Sequence, residues 1–548
     1  MVTSPQYAPG VERGVGTVTR HWPDDDEQRQ RLLAPRDDVL AERAVETVAE
    51  LGRFEQQHGP FTRYERSVTA ADGQLVERTR YRLVLPWFKW LFGPAVRGVL
   101  ARRWSYRAWW APPDQLDATQ VLVLGLLAAA SVTAAFVNTL FTQTAEFAAD
   151  DFGIGSVGIG NAGAIVRAGI VVALPAAFIA DRLGRRRVLI WLAWLAPLLS
   201  LIGAVAPSFE LLTLSQTLAR PMGIALAFVI GVIAAEEMPK NSRAFAVSVL
   251  AMAAGFGAGV AVMSLRLADV GEGGWRLVYL VAGVWCIVAL SVTRRLPETR
   301  RFLAQVARPA TTKAAVDTPA GASAEAAVTK ASAEERRAER SRRFRRNLLL
   351  LGAVAFAGNV FVAPASFFQN SYLEDVRGFS GGMIGLFSIL VGTPAGIGLI
   401  IGGQIADQRG RRTLIAVALP ISVLSVVGAY AVGGPALWAF SLTAGITGSM
   451  VYPAMTVYRT ELFPTASRTK ASALISCAAL IGGIGGLLAT GQLIDRGWSY
   501  ASVMGWLAIG QLIVTILVVA FYPETAHREL EDLNPDDADS PLPSLHNV

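Results

Sequence analysis

Long apolar runs separated by short charged clusters dominate the chain from about residue 121 onward. At a rise of about 1.5 Å per residue, some twenty apolar residues cross the roughly 30 Å of bilayer hydrocarbon. Runs of that kind fall at about 121–146, 156–180, 188–206, 211–235, 244–265 and 275–293. Six more follow at about 348–372, 381–406, 413–432, 436–460, 471–494 and 500–522. The pattern predicts an all-α integral membrane protein with twelve transmembrane helices in two sets of six, in segments 119–303 and 347–525. An even number of crossings puts both termini on one side.

The polar stretches divide the rest of the chain. Residues 1–118 carry no span. Within them Val39 to Phe54 has apolar residues at helical spacing, and FTRYERSVTAADGQLVERTRYRLVL alternates around Asp72-Gly73, a hairpin signal. A small α/β extension is expected. It ends in PWFKWLFGPAVRGVLARRW, residues 86–104, whose Trp, Phe and Arg content suits a segment lying in the membrane interface or, alternatively, a buried element of the small domain. Residues 304–346 read as a flexible linker, Ala/Thr/Ser-rich and then basic (EERRAERSRRFRRN), and 526–548 as a polar tail.

Charge sets the orientation. The chain has 548 residues, 52% hydrophobic and 17% charged, with a net charge of +7 and a mean hydropathy of +0.40. The cations cluster in alternate connections, at Arg182, Arg185, Arg186 and Arg187, at Lys240 and Arg243, at Arg409, Arg411 and Arg412, and at Arg468 and Lys470. This bias marks the cytoplasmic side, so both termini, the extension and the linker are expected in the cytoplasm of a cell whose cytoplasmic membrane holds the protein. It also explains the basic balance without a nucleic-acid partner. No cleavable signal peptide is expected, since residues 1–118 begin polar and hold no apolar core of the required length. Cys286 and Cys477 lie in separate apolar runs, and His21, His58, His527 and His546 all lie outside the spans. No metal site, cofactor or catalytic constellation is expected from them.

Internal repetition sharpens the picture. ADRLGRRR at 180–187 returns as ADQRGRRT at 406–413, an offset of 407 − 181 = 226. Pro297-Glu298-Thr299 matches Pro523-Glu524-Thr525 at the same offset. Glu237-Met238-Pro239 with Arg243 matches Glu461, Pro464 and Arg468, offset by 224 to 225. Three pairs in one register imply two homologous six-helix halves related by an axis along the membrane normal.

Asp181-Arg182 with Gly184-Arg185-Arg186 after the second run, and Gly403 to Arg412 after the eighth, resemble the signature of the major facilitator superfamily over about residues 121–525. The segment ELFPTASR at 461–468 and the paired Pro-Glu-Thr motifs are similar to the branch holding sugar porters, organic-ion transporters and synaptic-vesicle-glycoprotein-like carriers. The resemblance implies the major facilitator fold, alternating access and a small organic solute, with a proton as coupling ion and a monomer in the lipid bilayer.

The motif residues carry a physical argument of their own. Gly184 and Gly410 permit a tight turn, while Asp181 and Asp407 stand at a membrane edge beside guanidinium groups. Such a carboxylate pairs with Arg or faces a helix N-terminus, a contact that must break when the cavity opens on that side. Asp181, Arg182, Gly184, Arg185, Arg186, Asp407, Gly410, Arg411 and Arg412 are therefore expected to form a conformational gate, against a plain topological role. The resemblance implies that Glu237 pairs with Arg243 in one half and Glu461 with Arg468 in the other. Ala177 stands where the first motif normally has glycine.

Ionisable groups inside a span are costly and mark function by default. Arg167 and Arg220 qualify, with Glu146 at the outer end of the first run. Arg220 reads either as the partner of a proton-titrating carboxylate or of an anionic group, or as a structural ion pair; Glu146 reads as a protonation site or as a solvated loop acid. The resemblance implies that the first, fourth, seventh and tenth spans line a cavity. Asn138, Gln143, Asn359, Gln369, Asn370, Tyr372 and Tyr452 are then candidates for the solute site, each against a packing role.

Drug or metabolite efflux by proton antiport is the alternative within transport. Its usual proline-containing glycine motif is missing from the fifth run, AAGFGAGVAV, where Gly255 and Gly259 are expected to give close packing. Symport is the preferred expectation. The long extension leaves open a transporter-like sensor, while the lack of a reactive constellation argues against an enzyme.

Overall fold

The computed structural model describes residues 15–47, 50–71, 73–102, 111–154, 162–163, 165–166, 169–271, 273–300, 302, 325–369, 372–379 and 381–534. Two compact units emerge, residues 1–126 and 127–548.

The first unit is a five-stranded antiparallel sheet in the order β1-β5-β4-β3-β2, built from β1 (Gly16–Pro23), β2 (Ala41–Val45), β3 (Gly52–His58), β4 (Phe61–Ala71) and β5 (Gln74–Leu83). Helix α1 (Asp26–Leu33) follows β1, and α2 (Lys89–Arg102) follows β5. The predicted hairpin is present: Ala71 pairs with Gln74 across the turn, and Gly73 takes a positive φ of 73°. The helix expected over Val39 to Phe54 is not; β2 and β3 occupy that stretch. Its apolar spacing is overridden by tertiary pairing, because Glu42 turns inward onto the buried Arg66 at 2.6 Å and the Tyr64 hydroxyl donates to the same carboxylate at 2.6 Å. Helix α2 packs Val96 and Leu100 onto the sheet. Arg36 closes that end by donating to the Val99 and Leu100 carbonyls at 3.0 and 2.9 Å, a cation on a helix C-terminus. At the other end of α2, Trp90 is 69% exposed.

The second unit is helical. Among the described residues, ten helices are long and apolar enough to cross a membrane. By order these are span one (Ala118–Asp151), three (Arg185–Leu201), four (Phe209–Glu237), five (Arg243–Met263), six (Trp275–Arg295), seven (to Phe367), eight (Gly381–Arg409), nine (Arg411–Ala431), eleven (Arg468–Asp495) and twelve (Tyr500–Phe521). Span two contains Ala173–Leu183, and span ten is Gly434–Glu461. Span ten is less apolar because one of its faces lines a cavity. Span seven continues a helix that begins at Glu325, so the second part of the expected flexible linker is helical and the basic run forms its polar end.

Repetition extends to the packing. A Cβ on Gly257 of span five would lie 2.2 Å from the Val132 carbonyl of span one, and one on Gly482 of span eleven 2.2 Å from the Phe356 carbonyl of span seven. Glycine is what lets these backbones touch. Gly255 and Gly259, expected in that role, face open space. Spans seven and eleven, eight and ten, and nine with ten and twelve pack within one half, while span five meets spans eight and ten of the other.

Candidate functional site

Two features define the site: a charged cluster joining the halves at one end, and a cavity in the second half.

The cluster begins with two turns. Gly184 and Gly410 take φ of 103° and 104°, open to glycine and strained for other residues. Each turn is closed by the glutamate of a Pro-Glu-Thr motif. Glu298 accepts the Arg186 amide at 3.1 Å, and Glu524 accepts those of Arg411 and Arg412 at 3.0 and 3.1 Å. Both carboxylates thus sit on helix N-termini, where negative charge is favoured. A Cβ at either glycine would lie 2.7 Å from the glutamate Oε2, so glycine is required twice over. The Arg186 side chain reaches the Leu296 and Thr293 carbonyls at 2.5 and 3.0 Å, holding the C-terminal end of span six. Arg182 is exposed and Arg412 half-buried.

Behind the turns lie four buried arginines, Arg185, Arg243, Arg411 and Arg468. Glu236 faces Arg185 of its own half at 3.5 Å and Arg468 of the other half at 3.0 Å. Glu461 faces Arg411 of its own half and Arg243 of the other at 3.1 Å. The ion pairs are therefore crossed between the halves, not closed within them as the sequence implied. Glu236 takes the part assigned to Glu237, which instead pairs with Arg300 at 3.7 Å and accepts its amide at 2.8 Å. An offset of 225 for these two pairs (461 − 236, 468 − 243) places Glu236, not Glu237, opposite Glu461.

Asp407 completes the cluster. Fully buried, it holds Arg411 at 3.0 Å and accepts the Phe245 amide at 3.0 Å, at the N-terminus of span five in the opposite half. Beside it, a Cβ on Gly403 would lie 2.9 Å from the Ala244 carbonyl, so spans eight and five approach closely. The side chains of Asp181 and Ala177 lie outside the described residues.

The cavity, about 600 Å³, lies among spans seven, eight, nine, ten and twelve. Span ten presents to it Ser441, Gly445, Gly448, Tyr452, Met455 and Arg459, a stripe spaced by three and four residues. Three sequence candidates, Asn359, Gln369 and Tyr452, line it together. Tyr372 does not. It is buried, donating to the Ala429 and Val432 carbonyls at 3.2 Å each, with its ring tilted against that of Tyr430 at 4.8 Å, a packing role. Asn138 sits against Gly223 of span four, where a Cβ would meet its Oδ1 at 2.9 Å. Gln143 and Arg220 are half-buried on spans one and four. Arg167 and Asn370, and the Glu146 side chain, lie outside the described residues. Arg459 and Gln511 were not singled out by sequence; the stripe ending at Arg459 is the signal that could have found the first.

Two repeated helical bundles, latched by buried ion pairs at one end and holding a mainly apolar cavity with a few polar groups, define a membrane carrier of the secondary-transporter class. The chain belongs to the Major Facilitator Superfamily, whose family model matches residues 126–444 and 383–545. Solved structures share the fold. The proton:xylose symporter XylE, bound to 6-bromo-6-deoxy-D-glucose, aligns with TM-score 0.63 at 17% identity, over 76% of this chain and 99% of that one. The E. coli fucose:proton symporter FucP gives 0.54 at 16%, over 73% and 98%. The human organic anion transporter MFSD10 gives 0.54 at 14%, over 72% and 98%. A comparison with curated proteins finds no match.

Proposed function

We propose that the protein carries a small organic solute across the cytoplasmic membrane by alternating access, as a proton-coupled symporter. One observation carries the reading: Glu236 and Glu461 each hold one arginine from either half. A charge cluster shared in this way costs a great deal to half-break and little to exchange as a unit, which suits a switch between two states. Proton-coupled carriers of xylose and fucose among the structural neighbours support the same mechanism.

In this reading the latched end is cytoplasmic, as are both termini, and the structure is the state closed to the inside. Spans seven and ten bind the solute, while Arg220 and Glu146 in the first half serve coupling. The extension, residues 1–118, is a cytoplasmic accessory domain whose segment 86–104 lies in the membrane interface; the exposed Trp90 and Leu91 support this. The test is uptake by proteoliposomes under an imposed inward proton gradient, across neutral, anionic and cationic solutes. Accumulation abolished by a protonophore is the expected result; accumulation only under an outward-directed solute gradient, or only on reversing the proton gradient, would contradict symport.

A further inference from the structure

The cavity contains a charge that no described side chain pairs with. Arg459 projects from the same stripe of span ten as Tyr452, 459 − 452 = 7 residues or two helical turns earlier. Among the described residues lining the cavity it is the one ionised side chain. Among the described ion pairs and hydrogen bonds none is made by its guanidinium, although every buried arginine of the nearby latch is matched to a carboxylate. A cation held inside a membrane bundle without a counter-ion is expensive, and a protein keeps one where something else neutralises it.

A second observation agrees. Gln511 of span twelve and Ser441 of span ten also line the cavity, both are 5% exposed, and neither Gln511 Oε1 nor Ser441 Oγ has a hydrogen-bond partner. A buried acceptor left unmatched carries a penalty that a ligand donor relieves. The wall around them is apolar or weakly polar, with Val354, Phe361 and Val423 between the polar groups.

We infer that the solute is a small organic anion, its carboxylate or phosphate seated on the Arg459 guanidinium and its hydroxyl or amide groups reaching Gln511 and Ser441. Arginine suits the task because its planar fork meets an oxyanion with two parallel hydrogen bonds. Carriage of this anion rests on the transport reading; the electrostatics of the cavity do not, and the two are tested apart. Arg459 also stands two residues before Glu461, whose side chain enters the latch. Filling the cavity and holding the latch are thus tasks of a single turn of one helix.

The first experiment needs no knowledge of the solute. In the full chain, with Cys286 and Cys477 replaced by Ser, Met455→Cys puts a thiol on the cavity stripe one turn from Arg459. Its reaction rates with sulfonatoethyl and trimethylammonioethyl methanethiosulfonate are compared, each normalised to its rate with free thiol. An arginine without a counter-ion should favour the anionic reagent by about tenfold. Arg459→Gln should bring the ratio near unity and Arg459→Lys should keep it. A ratio near unity or favouring the cation with Arg459 present, a ratio unmoved by Arg459→Gln, or a thiol that neither reagent reaches would overturn the proposal.

The second experiment measures uptake by proteoliposomes of glucose, glucuronate and glucosamine, and of benzyl alcohol, benzoate and benzylamine. Preference for the anionic member of a set, lost in Arg459→Gln, supports the inference. Uptake of the neutral or cationic members alone would overturn it while sustaining transport. Uptake of none in the presence of an intact reagent ratio counts against transport and leaves Arg459 as an anion-binding group.

Discussion

Glu236 and Glu461 occupy equivalent positions in the two halves, and each is held by an arginine of its own half and one of the other. Glu461 is fully buried and Glu236 nearly so. The arrangement converts four separate cations into a joint between bundles, and its energetics follow from burial.

Removing one carboxylate should be far worse than the pair is worth. Glu461→Gln leaves the buried Arg411 to Asp407 and the buried Arg243 to the partly exposed Glu529, an effect of about 3 kcal/mol. Thermal unfolding of the detergent-solubilised protein should fall by several degrees, and thiol probes near the latch should gain access. Unchanged melting and unchanged access would mean that the pairs are ornamental to the joint.

The turns at Gly184 and Gly410 carry a separate prediction. Gly184→Ala meets both a positive φ and a contact of 2.7 Å with Glu298, so a loss of about 1–3 kcal/mol is expected. Glu298→Ala removes the anion from the helix N-terminus and should cost about 1 kcal/mol. In the double variant the losses should fall short of additive, because the steric part vanishes with Glu298; strict additivity in a double-mutant cycle would show that the two residues do not touch.

Acid should loosen the first unit in a defined way. Burial by itself would raise the Glu42 carboxyl, but Arg66, the Tyr64 hydroxyl and the Arg36 amide overcome it and leave the group below its usual value of 4.5. A depressed folded value contributes stability that is complete above the unfolded pKa and is lost as pH falls through the folded one. Burial pushes Tyr64 the other way, well above its usual 10.0, so its contribution is complete below that value and lost at higher pH. Protection factors of β4 and β5 amides in the full chain, exchange rates corrected for the intrinsic pH dependence, should be largest between these limits, and Glu42→Gln should remove the acid limb. An acid limb that survives Glu42→Gln assigns it elsewhere.

Helix α2 presents Trp90 and Leu91 to the surroundings while Val96 and Leu100 are buried. A fluorophore on Trp90→Cys in nanodiscs should be quenched by lipids brominated near the headgroup. Quenching by aqueous iodide alone would place the helix away from the interface.

Much of the fold was legible because spans and repeats are written locally, in run length and in an offset that stays between 224 and 226. The same holds for Gly184, Gly410 and the carboxylate of Asp407 on a helix N-terminus, which follow from residue type at a turn. Crossed pairing was not legible, since Arg243 meets Glu461 across 218 residues and only the packed bundles bring them together. Nor were β2 and β3, where a buried glutamate rather than an apolar stripe sets the inward face. Gly257 escaped notice beside Gly255 and Gly259 because spacing shows a helix face without showing which neighbour it meets. Arg459 was missed because it lies near the charged end of its span and reads there as another flanking cation.

The central claim is that the latch opens as a unit. It is tested most directly by electron–electron resonance distances between spin labels at Lys240→Cys and Glu529→Cys, exposed positions whose native side chains come within 3.8 Å of each other across the latch, in a background lacking Cys286 and Cys477. Two distance populations are expected, the longer one growing in Glu461→Gln and again in Glu236→Gln. A single short distance, indifferent to both substitutions, would contradict the account.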